Sequence, residues 1–110
     1  MKLDFTALKR ALGLLSEVVA NTADVAFMES LNEAQHRIMR AGVIQNFEFS
    51  YEISWKMLRR QLKVEEGDEG VSVLSRKDLY RLAEQKALLN DPEMWFLFHR
   101  ARNETSHTYN

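Results

Sequence analysis

Six apolar residues, Ile44, Phe47, Tyr51, Trp55, Leu58 and Leu62, recur at steps of 3, 4, 4, 3 and 4, so 18 residues complete five turns. That mean of 3.6 is the period of an α-helix, and an apolar stripe of this length faces a core. A contrary signal sits inside it. Residues 47–55 alternate apolar and polar without error, which alone reads as a half-buried strand of strong β propensity. The helical period runs on past both ends of this stretch, no turn signal brackets it, and no second strand candidate exists to pair with it. Glu52 and Lys56 also make a favourable i,i+4 pair on a helix. A helix is therefore expected.

The other segments follow the same period. Leu8, Leu12, Leu15 and Val19 give an amphipathic helix over roughly residues 4–20. Residues 21–24 read as its stop and the next start. Phe27, Leu31, Ala34 and Ile38 begin the long segment, in which Asn32 and Gln35 can form a capping box that restarts the helix. Gly42 weakens this helix by about 1 kcal/mol relative to Ala without ending it. Residues 64–74 hold Gly67, Gly70 and an acidic run, and read as a solvated loop. Ser75–Asp78 then opens a third helix carrying Leu79, Leu82, Ala83 and Leu89. Asp91 as N-cap, Pro92 in the first helical position and Glu93 against the dipole start a fourth. Its apolar face is read as Met94, Trp95, Leu97, Phe98 and Ala101. With only four Gly and one Pro in 110 residues, the expectation is one all-α domain over residues 1–110, an up-and-down antiparallel four-helix bundle.

Charge and composition narrow the chemistry. The net charge is −1, which gives no global pull toward nucleic acid. Residues 31–63 nevertheless carry six Lys/Arg against three acids. Of these, Lys56, Arg59, Arg60 and Lys63 form a basic end to the long helix that could bind phosphate, though a solvated helix C-terminus is the simpler account. The absence of Cys excludes disulfides and thiolate metal sites. His36, beside Arg37 and Arg40, has no second ligand at i+4, so no metal and no cofactor is expected. Trp55 and Trp95 fit the apolar stripes and read as core. No signal peptide or membrane span is present in the sequence, and a cytoplasmic protein is expected.

The terminal stretch points most directly at chemistry. Arg102, Asn103, Ser106, His107 and Tyr109 bring a fixed cation, a titratable imidazole and a phenol into eight positions. Those are the side chains needed to grip a phosphodiester and move a proton on it. His107 would act as general base or acid, Arg102 would stabilise charge on the phosphorane oxygens, Asn103 would orient the imidazole, and Ser106 would donate a hydrogen bond. The plain alternative is a polar helix end whose cations complement the dipole. On an ideal helix Arg102 and His107 stand about 140° apart. Three arrangements would unite them: Arg102 reaches around the helix, the helix breaks near Thr105 and Ser106, or two chains complete the site across a two-fold axis. His99, four residues before Asn103, either joins the cluster or is a surface histidine.

The segment Arg102-Asn103, three residues, His107-Thr108-Tyr109 resembles the R-x4-6-H motif of the HEPN superfamily. Residues 44–56 are similar to the second helix of its nucleotidyltransferase substrate-binding protein branch, and the Asp91-Pro92-Glu93-Met94-Trp95 approach fits the same pattern. The resemblance covers most of residues 3–109. It implies a helical bundle, a minimal nucleotidyltransferase of the DNA polymerase β type as partner, and RNA or a nucleotide as ligand. It further implies a toxin–antitoxin pair in which the HEPN chain is a ribonuclease, in a homodimer or hetero-oligomer. A non-catalytic module that binds the nucleotidyltransferase or its substrate is the competing implication. The tyrosine that accepts AMP from the partner in some relatives corresponds to Tyr109. Family members usually continue past the motif into another helix, whereas this sequence stops at Asn110. A missing helix would leave core exposed and favour dimerisation.

Overall fold

The computed structural model of the chain describes residues 4–109, with side chains as far as Thr105. Six helices follow one another: α1 (Thr6–Ala23), α2 (Val25–Glu29), α3 (Glu33–Glu66), α4 (Asp68–Ser72), α5 (Arg76–Gln85) and α6 (Pro92–Tyr109). Among the described residues there is no strand, and no helix is long and apolar enough to cross a membrane. The all-α expectation holds. Two short helices, α2 and α4, join the four long ones that the periodicity indicated. The chain divides into two compact units, Asp4–Ile53 and Ser54–Asn110, with the boundary inside α3.

In the first unit the caps are those the sequence announces. The Asp24 carboxylate accepts the Phe27 N–H at 3.0 Å and starts α2. The Gln35 N–H donates to Asn32 Oδ1 and the Asn32 N–H donates to Gln35 Oε1, each at 2.9 Å. This reciprocal box starts α3 at Glu33. The buried side of α1 is turned from the expected one. Ala11 is buried and Leu8, Leu15 and Val18 are half-buried, while Leu12 and Val19 stay 45% and 46% exposed. Gly42 takes part in this: a Cβ built on it would lie 3.9 Å from Val18 Cγ1, an ordinary contact. Along α3 the helical reading wins over alternation. Tyr51 is 3% exposed and Phe47 stacks on it at 6.2 Å, but Phe49, which a strand would place beside them, is 55% exposed.

In the second unit α3 ends where Gly67 takes φ +89°, a left-handed conformation that only glycine adopts freely. Residues 64–74 are therefore not a loop. Residues 64–66 complete α3, and α4 follows with Asp68 and Glu69 in its first turn, where they favour the dipole. The fully buried Val71 sits on α4 and holds that short helix to the core. The Ser75 hydroxyl accepts the Asp78 N–H at 3.1 Å and opens α5. Helix α5 stops before Leu89, because Ala87 takes φ +59° and the Leu88 N–H bonds back to the Ala83 carbonyl at 2.8 Å. Leu89 is buried beyond that turn. Asp91 Oδ1 accepts the Met94 N–H at 3.2 Å and starts α6 at Pro92.

The core of this unit gathers Leu62, Val71, Leu79, Tyr80 and Ala83, each at most 3% exposed. Tyr80 lies 5.4 Å from Trp95 and 6.3 Å from Phe96 between ring centroids, and packs α5 on α6. Trp95 and Phe98 meet edge-on at 5.6 Å. On α6, Met94 and Leu97 are 44% and 55% exposed, so the expected apolar face is again turned. The inward row is Trp95, Phe98, Arg102 and Thr105, all half-buried, at steps of 3, 4 and 3.

Two backbone positions make opposite, testable statements. Gly42→Ala should stabilise the chain by about 0.5–1 kcal/mol, since the space admits a methyl group and helical glycine is costly. Ala87→Gly should stabilise it by about 1 kcal/mol by relieving the left-handed alanine. Urea denaturation measures both. Lys86 supplies a pH dependence. Its hydrogen bond to Glu66, then the attraction of that carboxylate, raise its ammonium above the ordinary 10.5. A proton held more tightly in the folded chain stabilises it below 10.5 and ceases to do so as pH rises through the raised value. The Tm difference between the protein and its Lys86→Met variant should therefore narrow between about pH 8 and about pH 12.

Candidate functional site

Helix α6 runs unbroken to Tyr109, which removes a break near Thr105 and Ser106 from the three arrangements open to the terminal motif. Thr105 instead turns its hydroxyl back onto the Arg102 carbonyl at 2.9 Å, a local bond that a helix tolerates. Arg102 and position 107 are therefore about 140° apart around α6. Arg102 belongs to the inward row, half-buried, with its Nε shielded from solvent. Phe96, Arg100, Asn103 and position 107 form a different row, at steps of 4, 3 and 4. The roles expected of Ser106, His107 and Tyr109 rest on side chains outside the described ones.

Phe96, Arg100 and Asn103 of this second row border a groove of about 540 Å³, lined also by Lys77 on α5 and by Glu93, Leu97, His99 and Glu104 on α6. Two cations lie against its aromatic ring: Lys77 Nζ is 5.6 Å and the Arg81 guanidinium 5.3 Å from the Phe96 ring centroid. Arg100 contacts Glu104 at 3.3 Å, but both side chains are largely exposed, and an ion pair in water yields readily to a competing anion. The groove thus combines an aromatic ring face with cations, which suits a nucleobase and its phosphate.

His99 is half-buried and bonded rather than a surface histidine. Its Nδ1 lies 3.3 Å from Arg76 Nη1, and its Nε2 lies 3.5 Å from Asn103 Nδ2, at the long end of hydrogen bonding and with the amide oxygen and nitrogen exchangeable by a half-turn. Arg76 is itself seated with its guanidinium 3.3 Å from the Trp55 ring centroid. A guanidinium can only donate. His99 Nδ1 must therefore accept, and the neutral ring carries its proton on Nε2. The amide orientation consistent with that tautomer sets Asn103 Oδ1 against Nε2–H and leaves its NH2 for a ligand in the groove. Trp55 keeps its place on the apolar stripe, but one ring face carries Arg76 instead of core.

Lys56, Arg59, Arg60 and Lys63 line a separate open hollow of about 460 Å³, with Val64 and Asp68 at its rim. His36 half-buries itself in the first unit, beside Arg40 in a hollow of about 340 Å³. Sequence reasoning missed Arg76, Lys77 and Phe96. The row Phe96–Arg100–Asn103–His107 was available from helical spacing, whereas the stacking of Arg76 on Trp55 joins residues 21 positions apart and leaves no local signal.

An all-α chain whose last helix carries an Arg-Asn pair followed by His-x-Tyr defines a class, and the comparisons with known proteins agree with it. The family model described as "Nucleotidyltransferase substrate binding protein like" matches residues 3–110. The chain is also 33% identical over 109 residues to "Probable ribonuclease HepT" of Haemophilus influenzae (strain ATCC 51907 / DSM 11121 / KW20 / Rd), covering 98% of this chain and 75% of that protein. The chain belongs to the HepT-like nucleotidyltransferase substrate-binding family. No solved structure matches it.

The His99 tautomer is directly observable. Nitrogen-15 NMR of the His99 ring should show the proton on Nε2 and a bare Nδ1, and Arg76→Met should abolish that preference while leaving the helical circular dichroism signal intact. A proton on Nδ1 in the unaltered protein would contradict the Arg76 contact.

Proposed function

We propose that this chain is a HEPN-type partner of a minimal nucleotidyltransferase, folded as a four-helix bundle with short connecting helices, and that it cleaves RNA without a metal. The observation that carries the reading is the row Phe96–Arg100–Asn103 on α6, which borders a groove holding an aromatic ring, Lys77 and Arg100 beside Glu93 and Glu104, and continues to position 107 in an unbroken helix. The relative's printed name supports the same chemistry.

In this reading the ribose 2′ oxygen attacks the neighbouring phosphorus, the P–O5′ bond breaks, and a 2′,3′-cyclic phosphate and a 5′-hydroxyl result. His107 takes the 2′ proton or supplies one to O5′, and water completes the other transfer. Arg102 offsets charge building on the non-bridging oxygens. Asn103, held by His99, orients the imidazole or the phosphate, and Ser106 adds a hydrogen bond. The angle between Arg102 and position 107 favours a site completed by a second copy, each chain offering the group that the other's helix turns away. The partner enzyme would act as antitoxin by moving AMP from ATP to the Tyr109 phenol: an O–P bond forms, pyrophosphate leaves and the phenol loses its proton.

The inward placement of Arg102 favours a second reading, a non-catalytic module that binds the nucleotidyltransferase or its substrate while Arg102 serves packing. Incubation with RNA in EDTA separates the two. The catalytic reading expects cleavage that falls by about 10²-fold or more in His107→Ala. No cleavage by the unaltered chain, or equal cleavage by the variant, leaves the binding module.

A further inference from the structure

We infer that Lys56, Arg59, Arg60 and Lys63 form a track for the phosphodiester backbone of single-stranded RNA, which deepens the proposed function and rests on its RNA reading. The four residues stand at i, i+3, i+4 and i+7 of α3. On a helix that spacing confines them to an arc of about 100° and spreads them over about 10 Å of axis. All four line the same open hollow.

Helix-end electrostatics does not account for the stripe. Lys63 lies in the last turn of α3, where a cation complements the dipole, but that effect fades within one turn. Lys56 lies ten residues before Glu66 and Arg59 seven. Neighbouring like charges at i,i+3 and i,i+4 also destabilise a helix. Three of the four stay out of ion pairs: among the described residues no carboxylate pairs with Arg59, Arg60 or Lys63. Such a run of cations is stabilised by a polyanion laid along it.

The geometry selects a backbone over a nucleoside triphosphate. Compact phosphate sites converge backbone N–H groups from a helix N-terminus or a glycine-rich nest on one group. The hollow lies between the last turns of α3 and the start of the five-residue α4, whose first residue is the acidic Asp68, and the cations are strung out along α3 instead of converging. An aromatic ring adjoins the stripe: the Arg59 guanidinium lies 5.9 Å from the Trp55 ring centroid, and aromatic rings beside backbone-tracking cations are what single-strand binding uses.

The test uses the full chain and a fluorescent 2′-O-methyl RNA of about 12 nucleotides, which cannot be cleaved. Anisotropy titrations between about 50 and about 200 mM KCl give the slope of log affinity against log salt. In the Arg60→Gln/Lys63→Gln double variant the slope should become shallower by about 1.4, the loss of two phosphate contacts. Arg60→Lys/Lys63→Arg, which keeps both charges, should restore it. The melting temperature of the double variant should not fall, since three like-charge contacts, Lys56 with Arg60, Arg59 with Lys63 and Arg60 with Lys63, are relieved. Excess ATP should not displace the RNA.

An unchanged slope in the double variant, or no RNA binding at low salt, overturns the track and leaves the stripe to an acidic protein surface. Displacement by ATP as effective as by unlabelled RNA overturns it in favour of a nucleotide. Because the probe is inert, a chain that cleaves RNA with an unchanged slope loses only the track. A chain that binds with the expected slope and cleaves nothing loses only the nuclease.

Discussion

A helix of 34 residues is held in water by the apolar face it buries more than by its own hydrogen bonds. On α3 that face is Phe47, Tyr51, Trp55, Leu58 and Leu62, of which Tyr51 and Leu62 are almost fully removed from solvent. The remainder of the molecule depends on it. The continuous helix fixes the angular relation between the stripe that enters the core and the cations at Lys56, Arg59, Arg60 and Lys63. It also puts Trp55 at the edge of the buried stripe, where one ring face receives the Arg76 guanidinium. Alternation over residues 47–55 would have carried Phe49 to the Tyr51 side and dissolved both relations.

The same separation of faces recurs on α6 with another outcome. Trp95 and Phe98 fill the core against Tyr80, and the helical period then delivers Arg102 to that inward row. The outward row, from Phe96 through Arg100 to Asn103, borders the groove. A helix cannot bring two residues five positions apart onto one face, so Arg102 turns inward while position 107 lies about 140° away around α6. This constraint is why a second copy enters the functional proposal.

Electrostatics ties the two helices into one system. Arg76 is stacked on Trp55 and bonded to His99, and His99 reaches Asn103. Since a guanidinium only donates, one contact sets the tautomer of an imidazole and thereby the hydrogen-bonding sense of the amide beyond it. Cations lie against Phe96 and along one stripe of α3, and that suits a ligand made of aromatic bases and phosphates.

Local chemistry made much of this legible in the sequence. The caps at Asp24, Asn32, Ser75 and Asp91 form as their residue types require, and the period across residues 44–62 is strong enough to overrule nine alternating residues. The family could be read from the Arg102–Tyr109 segment taken with residues 44–56 and 91–95 for the same reason, because each motif is local. Errors arose where a neighbour decides. Leu12, Val19, Met94 and Leu97 are as apolar as the residues that became buried, and only packing selects among faces a fraction of a turn apart. The end of α5 depended on an alanine accepting a left-handed backbone at position 87, against its own preference. Sequence alone determined that the chain is helical, where most helices begin and which motif closes it, since these follow from interactions within about four residues. Tertiary structure decided which face each helix buries, that Arg102 turns inward, and that Arg76 joins Trp55 to His99, since those contacts link residues far apart in the chain.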